Sequence, residues 1–187
     1  MDRYIEPIEG SSNVEFKNEV VGGVIPTNLI PSVENGFMET AAKGISYGYP
    51  MIGFRIVLTD GQSHVVDSND QAFQTAASQA LRQAITKAGA FLLEPVMSVC
   101  LNVPEEHQGA VLVTLTRRRG VISDTGNSEQ GSMISASVPL AEMFGYATEL
   151  RSVTMGKGEF TMEFEKYLPV PESISKALRK DEGKLKR

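Results

Sequence analysis

Apolar residues recur along the chain with two different periods, and each change of period marks a new element. EFKNEVVGGVIP (residues 15–26) reads as a strand ending in a Gly-Gly turn. Beyond it Ile30, Val33, Phe37 and Ala41 repeat at helical spacing, with Gly44 as the stop. MIGFRIVLTDG (51–61) predicts a strand rich in Ile, Val and Phe, closed by an Asp60–Gly61 turn. The clearest helical stripe follows, from Ala72 and Phe73 through Ala77, Ala80 and Leu81 to Ile85 and Ala88, before Gly89. Ser68 and Gln71 have the spacing of a capping box at its start, and so many alanines predict a helix lying close against its sheet.

After AFLLEP (90–95), read as a short connection, the pattern restarts. Met97, Val99, Leu101 and Val103 alternate as in a strand, and Glu105 to Arg119 reads as a helix with Val111, Leu112 and Leu115 inward. GVISDTGNSEQGSMISASVP (120–139) predicts a hairpin with a polar, Gly-containing loop. Leu140, Met143, Phe144, Ala147 and Leu150 predict a second helix, and EFTMEFEKY (159–167) a strand with Phe160, Met162 and Phe164 on its inner face. Strand, helix, strand, strand, helix, strand is the ferredoxin-like split βαβ order: a four-stranded antiparallel sheet with two helices on one face. The fold class is therefore α+β in two domains, residues 1–92 and 93–171, joined near Leu92–Pro95. A basic tail, 172–187, starts as a helix in ESISKALRK and then frays.

Composition narrows the function classes. The net charge is −5, so the chain as a whole is no basic nucleic-acid binder. Residues 1–90 hold 6 Lys/Arg against 10 Asp/Glu, and 91–187 hold 12 against 13, so nucleic-acid contact has to be local. The local candidates are the consecutive Arg117, Arg118 and Arg119 and the tail from Lys176 to Arg187. One cysteine, Cys100, leaves no internal disulfide, and with two histidines a His/Cys zinc site has too few ligands. No apolar run has membrane-spanning length, and no charged-then-apolar leader follows Met1.

Catalytic patterns are missing from the sequence. There is no GxxxxGK[ST] loop, and Gly156-Lys157-Gly158 lacks its spacing and hydroxyl. There is no GxSxG elbow, Cys100 reads as a buried thiol in mid-strand, and His107 reads as surface histidine at a helix start. Glu159, Glu163 and Glu165 read as the wet side of a strand. A small ferredoxin-like enzyme thus has no nucleophile or acid–base pair. Two features stay open. The arginine triplet either complements a helix C-terminus or contacts phosphate. His64, in DGQSHVVDSND (60–70), is either polar surface or a functional tip.

GGVIP, VDSNDQAFQTAASQALRQA, LLEPVMSV, RRRGVI and VPLAEMFGYATELRS…GKGEFTMEF together resemble the last two domains, IV and V, of elongation factor G, the bacterial-type translocation GTPase. The resemblance implies for the first domain an S5-domain-2-like α+β unit with a left-handed βαβ crossover, an exception to the usual hand. Its tip would enter the ribosomal decoding centre. The second domain would be the ferredoxin-like unit, lying against large-subunit ribosomal RNA and stalk-base proteins. The implied partners are the ribosome, with P-site tRNA and mRNA, and the GTPase domains of the same polypeptide. No membrane is implied, and the chain would be a monomer.

In this resemblance Gly61, Gln62, Ser63 and His64 fall on the tip that meets the codon–anticodon region, with Val65 and Val66 leading toward the helix. Codon–anticodon pairing forms a short A-form helix whose shallow minor groove shows 2′-hydroxyls and base edges. A small imidazole can contact that surface without requiring one sequence. Gly61 permits the sharp turn, and Asp67 and Ser68 are cap residues that support it. Arg117, Arg118 and Arg119 become a candidate contact to ribosomal RNA or to another domain. No cofactor is expected in this chain, because GTP and Mg would be held by an N-terminal domain of the parent. Relative to the family, MDRYIEPIEG begins just after the Gly-rich first strand-loop of domain IV, which leaves a sheet edge open. The alternatives are a related factor for ribosome recycling or protection, and a stand-alone ribosome-binding module without GTPase. The compartment implied is bacterial cytoplasm, with the mitochondrial matrix as alternative.

Overall fold

The computed structural model describes the backbone of residues 1–8, 12–45, 48–64, 66–128 and 131–185, and the side chains of these except 128 and 179–185. The chain forms two compact units that meet in sequence at Ala90–Phe91.

The first unit is a three-stranded sheet under two helices. Strand β1 (Asp2–Pro7) pairs antiparallel with β3 (Phe54–Asp60), and β2 (Val14–Asn18) pairs parallel with it, giving the order β1-β3-β2. Parallel neighbours need a crossover, and α1 (Ile30–Lys43) supplies it, entered through a 3-10 turn at Thr27–Leu29. Gly44, at φ 71°, ends α1 as the sequence predicts. Helix α2 (Asp70–Ala88) follows β3. Phe54, Ile56 and Leu58 of β3 form one core with Val33, Phe37 and Ala41 of α1 and Phe73, Ala77, Leu81 and Ile85 of α2.

The alanine stripe of α2 is only half used for burial: Ala77 and Ala80 are buried, while Ala72, Ala76 and Ala88 face solvent. The close neighbour is α1. A Cβ on Gly36 would lie 2.5 Å from the Gln74 carbonyl oxygen and 3.0 Å from the Ala77 Cβ. Ser32 Oγ also donates to the Asp70 carboxylate, tying the two helix starts together. Strand β1 has no counterpart in the hydrophobic pattern. It is held by partners that are distant in sequence: Arg3 donates to the Ala80 carbonyl at 2.9 Å, and Arg55 bridges Glu6 and Glu15, each at 2.7 Å.

The second unit has the expected ferredoxin-like order. Its antiparallel sheet runs β5-β6-β4-β7, with β4 at Leu93–Val103, β5 at Val121–Ser128, β6 at Gly131–Pro139 and β7 at Glu159–Pro169. Residues 129–130 of the predicted hairpin loop lie outside the described ones. Helix α3 (Glu105–Arg117) covers one face, with Val111 and Leu115 fully buried against Val99, Leu101, Ile134 and Val138.

The predicted helix over 140–150 is broken into α4 (Leu140–Met143) and α5 (Tyr146–Val153). Phe144 is extended (ψ 127°) and Gly145 left-handed (φ 74°) between them. Phe144, expected inward, is 77% exposed, and Tyr146 takes the core place, edge-on to Phe160 with centroids 5.4 Å apart. The expected inner face of β7 is likewise only partly covered: Phe160 is half-buried against the core, while Met162 and Phe164 are exposed on this edge strand. AFLLEP is no connection from Leu93 onward, since β4 begins there. Helix α6 (Glu172–Leu185) also runs well past ESISKALRK.

Candidate nucleic-acid interface

The loop between β3 and α2 presents Gln62, Ser63 and His64 to solvent. Gly61, by contrast, is buried, and its φ is not in the left-handed region. A Cβ there would lie 2.6 Å from Ile25 Cδ1. Glycine here makes room for the Ile25 side chain of the GGVIP segment, and the turn itself does not require it. Asp60 receives the Gly61 amide at 2.7 Å and starts the loop.

The loop closes on itself at Ser68. The His64 amide donates to Ser68 Oγ at 2.7 Å, and the Ser68 amide donates to the His64 carbonyl at 3.1 Å. With its hydroxyl so engaged, Ser68 does not cap α2. Asn69 does, accepting the Ala72 amide at 2.8 Å, so a simple asparagine cap one residue later replaces the predicted Ser68–Gln71 capping box. Asp67 is no cap either: its carboxylate lies 3.6 Å from His64 Nδ1, with both side chains largely in water. Such an exposed pair is worth at most about 1 kcal/mol. Val65 lies outside the described residues.

The result is an imidazole, 76% exposed, on a loop clasped by two hydrogen bonds to Ser68 and bearing no lysine or arginine. A groove of about 250 Å³ is lined by Gln62, Asp67, Ser68 and Phe73 among others, and among the described residues its wall has no lysine or arginine. The loop thus offers hydrogen-bonding groups and an imidazole, with no guanidinium or ammonium to pair with a phosphate.

The arginine triplet is divided by the end of α3. Arg118 caps the helix, and Arg119 takes φ 60°, a left-handed conformation that costs a non-glycine residue about 1 kcal/mol. Ion pairs hold it there: Arg119 forks onto the Glu94 carboxylate and lies 3.5 Å from Glu142. The Glu94 hydrogen bond raises the Arg119 pKa further above its usual value, against the opposing effect of burial. Arg118 grips Glu149 at 2.7 Å, donates to the Glu142 and Phe144 carbonyls and lies 5.2 Å from the Tyr146 ring centre. Arg117 is the exposed member, at 70%, with Glu149 at a loose 3.6 Å. Two of the three candidates thus hold their own domain together and one faces outward.

The remaining chemistry-bearing residues are dispersed. Cys100 is a half-buried free thiol in β4. His107, read as surface, is only 14% exposed: it lies one turn before Val111 on the inward side of α3, and its Nε2 is buried without a hydrogen-bond partner. Lys157, between two glycines, reaches Glu106 at 3.4 Å. Among the described residues no three His, Cys, Asp or Glu converge as metal ligands, and no helix is long and apolar enough to cross a membrane.

Comparison with known proteins agrees with this two-unit architecture. The family model for elongation factor G domain IV matches residues 3–89, and that for the elongation factor G C-terminus matches 91–178. The protein called elongation factor G 1 in Syntrophus aciditrophicus (strain SB) is 46% identical over 184 residues, covering 98% of this chain. Its namesake in Treponema pallidum (strain Nichols) is 46% identical over 178 residues, or 95% of this chain. The chain spans 26% of the length of each. A solved structure from Thermus thermophilus superposes with a TM-score of 0.87 at 36% identity, over 96% of this chain and 27% of the other. With both units matched in order and nearly half of its residues shared with these relatives, the chain belongs to the elongation factor G family.

Proposed function

We propose that the chain is the ribosome-contacting arm of a factor that drives GTP-dependent movement of tRNA and mRNA, with Gln62, Ser63 and His64 entering the decoding centre. The observation that carries this reading is the tip itself: an exposed imidazole whose backbone is bonded at both its amide and its carbonyl by Ser68. A tip that serves every codon must contact the minor-groove surface without base-specific arginines, and this loop has none. Its action is mechanical. A contact made only after tRNA has advanced disfavours its return; one hydrogen bond worth about 1 kcal/mol shifts that balance roughly fivefold.

GTP and Mg would be held by another part of the parent polypeptide, and this chain would supply no catalytic group. Arg117 would extend the contact to large-subunit RNA, while Arg118 and Arg119 would support it from within the domain. The bacterial relatives favour bacterial cytoplasm over the mitochondrial matrix. The test is His64→Ala in the complete factor. Single-round tRNA movement should slow several-fold while GTP hydrolysis stays nearly unchanged; equal loss in both rates, or in neither, rejects the assigned role.

A further inference from the structure

Phe144 is the most exposed aromatic ring among the described residues, yet its backbone is firmly held. Arg118 donates to the carbonyls of Glu142 and Phe144, at 3.2 Å for the latter, and grips Glu149 with two nitrogens at 2.7 Å. Gly145 (φ 74°) then turns the chain into α5, and Tyr146 is buried beneath the Arg118 guanidinium. The turn is thus fixed while its ring stays in water. Arg117, the last residue of α3, lies 3.6 Å from Glu149, the carboxylate that Arg118 also grips, so Arg118 and Glu149 link the exposed guanidinium at the end of α3 to the turn that carries the free ring.

We propose that Phe144 and Arg117 form a nucleobase-stacking contact, the ring lying on an unstacked RNA base and the guanidinium on a phosphate beside it. Stacking of this kind is sequence-tolerant, because every base has a π-face. A turn held before contact leaves only the ring's two side-chain torsions to be ordered on binding, which lowers the cost. A hydrophobic protein partner is the poorer fit. Ala141, Gly145, Ala147 and Thr148, which flank the ring in sequence, are exposed but small or polar, unlike the apolar surround of a protein hot spot. Arg118 and Arg119 are matched by Glu149, Glu94 and Glu142, so Arg117 is the member of the triplet left to meet a phosphate. Arg118 is here a positioning residue.

This contact rests on the ribosomal reading above, and the experiment separates the two. The chain contains no tryptophan, so Phe144→Trp, placed in a complete factor whose other domains are cleared of tryptophan, gives one reporter at the turn. Purified large ribosomal subunits are titrated into the full-length variant, and wild type, Phe144→Leu and Arg117→Ala are compared by co-sedimentation at two salt concentrations. The expected results are quenching of Trp fluorescence on binding, affinity near wild type for Phe144→Trp, and roughly five- to hundredfold weaker binding for Phe144→Leu. Arg117→Ala should lower the salt dependence by about one counterion. Equal binding by Phe144→Leu, or a blue shift without quenching, overturns the stacking contact, the shift in favour of a protein pocket, and leaves the ribosomal reading standing. A wild-type chain that does not bind the subunit removes both.

Discussion

Gly36 sits in the middle of α1, where helix propensity alone favours alanine by about 1 kcal/mol. The structure reverses that sign. The new Cβ would lie 2.5 Å from the Gln74 carbonyl oxygen and 2.8 Å from its Cα, both backbone atoms of α2. Neither can swing aside as a side-chain tip would, so the helices must part by something on the order of 1 Å, at an overpacking cost of about 1–3 kcal/mol. Net of propensity, Gly36→Ala should destabilise the first unit by up to about 2 kcal/mol and lower its melting temperature by up to roughly 15 °C. Gly109, in α3, is the control. A Cβ there meets nothing within 4 Å, so Gly109→Ala should stabilise the second unit by about 0.5–1 kcal/mol. Thermal and urea unfolding followed by circular dichroism, on the full chain, reads both. If Gly36→Ala stabilises its unit as much as Gly109→Ala stabilises the other, α1 and α2 do not approach as closely as described.

The two ends of the tip loop should respond differently. Asn69→Ala removes the α2 cap and should cost about 1 kcal/mol of stability, whereas Ser68→Ala should leave stability nearly unchanged but speed exchange of the His64 amide by up to about tenfold. Comparable unfolding costs for both would restore Ser68 as the cap. Burial raises the Tyr146 phenol above its usual value, so the folded state holds that proton more tightly than the unfolded state. This contribution is complete below about pH 10 and is lost as pH rises through the folded value. In an absorbance titration one of the five tyrosines should ionise late, and Tyr146→Phe should remove that step. A single step for all five in a folded chain contradicts the burial.

Elements with a clear apolar pattern are legible in the sequence: α1, α2, β4 and α3 each show one apolar face of the right period, and β3 an apolar run rich in Ile, Val and Phe. Strand β1 is not, because Arg3 and Glu6 find their partners 77 and 49 residues away, and nothing within Asp2–Pro7 signals them. The break at Phe144–Gly145 was missed because Phe144 completes a helical stripe on paper, while the glycine beside it frees the ring to face water. The arginine triplet misleads in the opposite direction. Its acidic partners Glu94 and Glu149 lie 25 and 31 residues away from Arg119 and Arg118, so a run that reads as a cationic patch is largely neutralised by its own domain. Only the resemblance to a family singles out the loop of Gln62, Ser63 and His64 in the sequence. Hydrophobic pattern alone says nothing of an exposed polar loop, and only the folded chain reveals Ser68 as its clasp and Asn69 as the cap.

The proposed function depends most on where Ser63 and His64 lie when the factor acts. A cysteine at position 63 of the complete factor, with Cys100 changed to serine and other reactive thiols removed, can carry a tethered iron chelate that cleaves nearby RNA by hydroxyl radicals. With the factor held on the ribosome after tRNA movement, strand breaks should cluster in small-subunit RNA of the decoding centre and in the adjoining tRNA anticodon arm. Cleavage confined to other sites, with the factor shown to be bound, would contradict the tip assignment on which the proposed function stands.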